Sequence, residues 1–143
     1  MNTEATLQAR LDAHGVKFFS ARELLTFGAS HHAGPVQNSL PPVNLLPNLL
    51  SIAIIANMLR TRFGHPIRVL SAYRSPRYND AIGGAANSMH LQARALDLAP
   101  SDPTKIRQWI EFLEKEHALR TWDGGLGVYR SFCHIDNGRH RKW

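Results

Sequence analysis

Cysteine is nearly missing from this chain: its 143 residues include one, Cys133. That excludes an internal disulfide framework and fits synthesis in a reducing compartment. Long apolar runs are missing too. The longest, Leu49–Leu59, is broken by Ser51 and Asn57 and falls short of the roughly 20 residues a membrane-spanning helix needs. It reads as a buried helix, and no membrane insertion is expected. Acidic residues are in deficit, 11 against 17 Lys and Arg, for a formal net charge of +6. A basic balance favours polyanionic partners such as nucleic acid, an anionic membrane face or a cell wall, without choosing among them. The arginines are dispersed, and no aromatic RNA-binding box or zinc-finger spacing is present, so no specific nucleic-acid partner is expected. The opening Met1-Asn2-Thr3-Glu4 lacks a basic region leading into an apolar run, and no secretory signal is expected. Internal repeats and low-complexity segments are also lacking.

What is present is a globular composition, 43% hydrophobic and 20% charged, at a length that suits one domain with a real core. Thr3 to His14 places Leu7 and Leu11 on one helical face and stops at Gly15. Ser20-Ala-Arg-Glu23 reads as a capping box that opens a second helix, with Phe18, Phe19, Leu24 and Leu25 supplying apolar contacts. Phe27–Pro42, rich in Gly, Ser, His, Asn and Pro, predicts a surface loop. Pro47 suits a first helical turn, Leu49, Ile52, Ala53, Ala56, Leu59 and Phe63 recur at helical spacing, and Gly64 ends the run.

A strand is expected over Ile67–Tyr73, then a short helix capped by Ser75 and ending near Gly83-Gly84, then a second strand over Arg94–Ala99. A helix from Ser101-Asp102-Pro103 to about His117 turns Ile106, Trp109, Ile110 and Leu113 inward. Gly125–Tyr129 and Phe132–Asp136 predict a closing hairpin. Strands and helices mix without regular alternation, which is an α+β pattern. The expected organisation is a single domain over 1–143, with N-terminal helices and a loop to residue 46 and the main core from 47 onward.

There are eight histidines. His14, His31, His32, His65 and His117 fall in loops or at helix ends, where solvated or capping roles are expected. His90 stands in different company. It closes a glycine-rich loop, and six residues on, Asp97 interrupts the apolar stretch Ala95-Leu96-Asp97-Leu98-Ala99. A carboxylate in a core strand is costly unless paired or bound to metal; an ion pair with Arg74 or Arg94 would satisfy it as well as a cation. In Phe132-Cys133-His134-Ile135-Asp136, strand alternation sets His134 and Asp136 on one face and Cys133 in the apolar layer. Two imidazoles, one carboxylate and an open position describe a catalytic rather than a structural zinc site.

These pieces together resemble a known family. Ser71-Ala-Tyr73-Arg74-Ser75, Ser88-x-His90-x6-Asp97, Gly124-Gly125-x-Gly127-x-Tyr129, Phe132-x-His134-x-Asp136 and the ending Gly138-Arg139 to Trp143 are similar to the zinc D-Ala-D-Ala carboxypeptidase and endopeptidase family, peptidase M15. The likeness is greatest to its small peptidoglycan-cleaving branch, many members of which are bacteriophage-encoded. It covers residues 65–143 well and 18–64 loosely. The resemblance implies a Hedgehog/D-Ala-D-Ala peptidase-like fold, a small antiparallel sheet flanked by helices with one Zn2+ in a cleft. It also implies zinc ligation by His90, Asp97 and His134, and substrate binding by Arg74 with Ser88 and Tyr73 beside it. The expected partner is a peptidoglycan peptide, and the expected setting is cytoplasmic synthesis followed by release during phage lysis or delivery in a virion, as for an endolysin.

Two departures from the family pattern stand out. Ala93 replaces the usual glycine between the His and the Asp, which an ordinary backbone angle would tolerate. Ser131 stands where many members carry an acidic general base, and serine cannot accept a proton at neutral pH. Asp136 is the substitute candidate, as the base or as the group that orients His134. Two competing readings follow: a non-catalytic zinc module that binds walls or builds phage particles, and a basic nucleic-acid-binding protein.

Overall fold

The computed structural model describes residues 2–30 and 32–143; His31, read above as a loop histidine, lies outside them. Helix α1 (Thr3–Ala13) is capped by the Asn2 side chain, which accepts from Ala5 N, and it buries Leu7 and Leu11. Helix α2 (Ala21–Ser30) opens on the expected capping box. Ser20 Oγ accepts from Glu23 N at 3.1 Å, and the Glu23 carboxylate accepts in return from the Ser20 amide. Phe18, expected to supply an apolar contact, is 45% exposed, with the Arg60 guanidinium 4.4 Å from its ring centroid.

The expected loop over 27–42 is only partly a loop. Helix α2 runs on to Ser30, and a two-stranded hairpin follows, β1 (His32–Ala33) pairing antiparallel with β2 (Val36–Gln37). The Gly34-Pro35 turn that closes this hairpin was counted in the sequence as loop composition; the same residues make a tight reversal.

Helix α3 (Leu46–Phe63) begins after a 3-10 turn and ends at Gly64, whose φ of 78° is the left-handed cap glycine adopts without cost. By length and composition Val43–Phe63 could cross a membrane. Here Leu46, Leu49, Leu50, Ile52, Ala53, Ala56 and Leu59 are buried, and the helix packs on α1 and on the sheet.

That sheet has five strands in the order β3-β4-β6-β5-β7. Strands β3 (Ile67–Ser71), β4 (Ala95–Pro100), β6 (Cys133–Asp136) and β5 (Gly125–Val128) pair antiparallel in turn. Strand β7 (Arg141–Lys142), which no periodicity announced, adds parallel to β5. Helix α4 (Pro76–Ala81) is capped by Ser75, and α5 (Ile106–Ala118) buries Trp109 and Leu113. One hydrophobic cluster extends from Leu7 in α1 to Ile135 in β6. The architecture is α+β, as expected, and every residue of β4 is buried.

Candidate metal centre

Register does much of the assembly. Asp97 in β4 lies directly opposite His134 in β6, and opposed residues on one face of an antiparallel pair hold their Cβ atoms about 5 Å apart. The neighbouring pairs Leu96–Ile135 and Leu98–Cys133 face the other way, into the core. Burial among them pushes the Cys133 thiol up to about 12, so it stays an inert packing group.

His90 arrives from a 3-10 turn, Met89–Gln92, whose N-cap Ser88 accepts from His90 N at 3.3 Å. The turn reverses through Ala93 at φ 54°, ψ 31°. The condition set for tolerating a methyl there, an ordinary backbone angle, is not met: the residue is left-handed, which costs a non-glycine about 1 kcal/mol or more. Its methyl is fully buried in the core, which partly offsets that strain.

Three donor atoms meet. Asp97 Oδ1 lies 3.1 Å from His90 Nε2 and 2.9 Å from His134 Nδ1, and the three ligand atoms all fall within 4.8 Å of one another. The outer nitrogen of each ring is also engaged. His90 Nδ1 is 2.5 Å from the Ala72 carbonyl, and His134 Nε2 is 2.9 Å from Asp136 Oδ2. A carbonyl or carboxylate there requires an N–H, which leaves the inner nitrogens as lone-pair donors aimed at a carboxylate oxygen.

Three electron-pair donors facing one another repel unless they share a positive charge. The donor set therefore fits a divalent cation. Without a cation, a proton on the ring can supply that positive charge: burial lowers the pKa of His134, but its hydrogen bonds to Asp136 and Asp97 outweigh that and hold it above the ordinary value. Burial likewise raises Asp97, and the charge and hydrogen bonds of His90 and His134 more than reverse it. Among the described residues no fourth His, Cys, Asp or Glu joins this group, so a cation held by these three would face a cleft of about 750 Å³ with a place left for water or substrate.

Arg74 lines that cleft. Its Nη2 donates to Asp97 Oδ2 at 3.1 Å and its Nε to Ser71 Oγ at 3.2 Å. The ion pair with Arg74, weighed in the sequence as an alternative to metal binding, thus exists beside the imidazole contacts: one carboxylate oxygen serves Arg74 and the other faces the rings. A bulge between Val69 and Ser71 sets Ser71 opposite Asp97. The backbone of this segment is pinned as well. Arg74 N donates to the His90 carbonyl at 3.1 Å. Asn38, itself buried, donates to Tyr73 O and accepts from Ser75 N, both at 2.8 Å.

Ser88 reaches the cleft, but Tyr73 does not: its ring belongs to the hydrophobic core. Asp136 is fully buried. Its Oδ1 accepts from Gly125 N, Gly138 N and Arg141 Nη1, and its Oδ2 from His134 Nε2 and Arg141 Nη2. Burial raises its pKa, and these donors overcompensate and hold it far below the ordinary carboxylate value. Of the two roles left open by the sequence, this environment matches orientation of His134 and not proton acceptance. Arg141 and the Ala72 carbonyl went unnoticed in the sequence. A basic residue shortly after a His-x-Asp pair is the one signal that could have drawn attention to Arg141.

No curated protein matches this chain, whereas a family model described as Peptidase M15 matches residues 18–136. That span holds His90, Asp97 and His134 and most of the core beneath them, and the chain belongs to the peptidase M15 family of metallopeptidases.

Proposed function

We propose that this protein is a zinc-dependent hydrolase of peptide bonds in bacterial peptidoglycan, acting on the stem peptide or its cross-link. The observation that carries this reading is the convergence of His90, Asp97 and His134 at a cleft in a chain of this family. Two nitrogen donors and one oxygen donor with an open place suit zinc. When bound, zinc supplies a Lewis acid that activates water and polarises the scissile carbonyl near neutral pH.

The rest falls to the chain itself. Arg74, Arg139 and Arg141 line the cleft, and among the described residues Asp97 is the only acid there. This balance favours a peptide bearing carboxylates, as wall stem peptides do. Arg74 has five N–H donors and engages two acceptors, leaving donors for a substrate carboxylate or the oxyanion that develops during attack. Asp136 holds the His134 ring by its Nε2–H. The stacked rings of Tyr129 and Phe132, with centroids 4.5 Å apart, form an apolar side of the cleft. The reading includes synthesis in the cytoplasm and action at the wall after lysis or from a virion, as an endolysin acts.

One observation favours a second reading. Among the described residues no carboxylate at the cleft is free to carry a proton, since Asp97 faces Arg74 and both imidazoles, Asp136 is saturated and the family's general-base position is Ser131. In that reading the domain holds zinc and binds wall peptide without cutting it. Purified peptidoglycan incubated with the zinc-loaded protein separates the two. New free amines on released muropeptides, found by mass spectrometry and abolished by a chelator, support hydrolysis. Sedimentation with the wall without such products overturns it.

A further inference from the structure

Residues 138–143 supply two of the arginines that line the cleft, and they also reach the metal centre. Arg141 forks onto Asp136, Nη2 to Oδ2 at 2.8 Å and Nη1 to Oδ1 at 3.1 Å, and the same Oδ2 receives His134 Nε2 at 2.9 Å. Pairing of β7 with β5 holds the segment, extended by Trp143 N to Leu126 O at 3.1 Å and Val128 N to Trp143 O at 2.9 Å. The Arg141 guanidinium lies 4.8 Å from the Trp143 ring centroid, and that ring lies 5.2 Å from the His134 ring.

The glycines of Gly124-Gly125-x-Gly127 make this seating possible. A Cβ on Gly125 would stand 2.6 Å from both Arg141 Nη1 and Asp136 Oδ2, and one on Gly127 would stand 2.7 Å from the Trp143 indole. Either would force apart the groups that meet there. The motif thus leaves room for a guanidinium and an indole beside the ligand histidine.

We infer that Arg141 is a positioning residue of the metal centre, acting through Asp136 on His134. This rests on the reading of His134 as a zinc ligand. Asp136 is a fully buried carboxylate, and Arg141 is the one fixed cation within its hydrogen-bond reach among the described residues. Removing the guanidinium leaves a buried charge held by two amides and an imidazole. The carboxylate is then free to turn, and His134 loses the fixed acceptor that aims Nδ1 at the shared cation. A planar fork fixes both oxygens at once; an ammonium fixes one.

The test uses the full chain in wild-type, Arg141→Ala and Arg141→Lys forms. Three quantities are measured: the zinc dissociation constant by competition with a chromophoric chelator, the visible spectrum of the cobalt-substituted protein, and the thermal midpoint of the metal-free form. Arg141→Ala is expected to weaken zinc by about 10–100-fold and to change the cobalt spectrum, while Arg141→Lys recovers part of the affinity. Should Arg141→Ala not fold, Arg141→Lys still decides, because an affinity and spectrum equal to wild type overturn the inference. So does an Arg141→Ala protein that loses thermal stability alone, with zinc affinity and spectrum intact. A wild type that binds no zinc overturns the metal-centre reading itself, and this inference with it.

Discussion

Two clusters in this molecule have the same composition, two histidines and an aspartate, and they are built differently. In the first, His90 and His134 stand nearly perpendicular, with centroids 5.1 Å apart and planes at 70°, and both aim a nitrogen at Asp97. In the second, His117 and His140 stack face to face at 3.9 Å and 6°. There His117 Nε2 is engaged by the Gly124 carbonyl at 2.9 Å. The buried His140 Nδ1 has no hydrogen-bond partner, and Asp123 stands 3.8 Å away. The first cluster can share a cation because an outer acceptor holds each ring with its inner nitrogen deprotonated. The second directs its rings at each other, and among the described residues it is not a group whose donor atoms converge. Residue type is common to both, and the outer hydrogen bonds decide which can be a site.

The largest expected difference between them is in metal content. His90→Ala or His134→Ala should abolish stoichiometric zinc and muropeptide release, while His117→Ala or His140→Ala retains one zinc per chain by elemental analysis. Equal loss from both clusters would erase the distinction. Next, Asp136→Asn should weaken zinc about 10–100-fold by removing the acceptor's charge, whereas Asp123→Asn should leave the affinity unchanged in the same chelator competition.

A third comparison concerns stability. His117→Ala strips the buried Gly124 carbonyl of its donor and should cost about 1–3 kcal/mol in urea unfolding, with zinc affinity preserved. A fourth uses pH. Burial, and then the charges of His117 and Arg120, lower the pKa of His140 below its ordinary 6.5. Because the unfolded chain takes up this proton first, stability contributed by neutral His140 is present above pH 6.5 and falls as pH drops toward the folded value. His140→Ala should flatten that part of the stability profile. Smallest of all is Ala93→Gly in the turn behind His90. Relief of left-handed strain against loss of a buried methyl and a stiffer unfolded chain should leave stability within about 1 kcal/mol of wild type.

The sequence revealed most where two periodicities coincide. Asp97 inside an apolar strand and the His134–Asp136 alternation could be read because strand parity is strict and a charge among Ala and Leu stands out. The first half of the chain was harder. Nothing in Gly34-Pro35 tells a hairpin turn from a loop, and whether Phe18 is covered depends on which way a single helix entry points. The left-handed Ala93 escaped because backbone angle is not written in residue type when the residue is not glycine. Tyr73 was placed at the cleft by its neighbour Arg74, but the strand ends at Ser71, where parity ceases to predict sides. Arg141 was missed because its partner lies in another strand and its own strand, β7, is only two residues long.

Asn38 sets a boundary on what can be re-engineered. Its amide satisfies the backbone on both sides of Arg74, as a neighbouring strand would, so it acts as a clamp at the foot of the β1–β2 hairpin. Lengthening or exchanging the tip of that hairpin should therefore leave Arg74 where it is. The hairpin is thus a place to graft new sequence upstream of the clamp without disturbing the cleft.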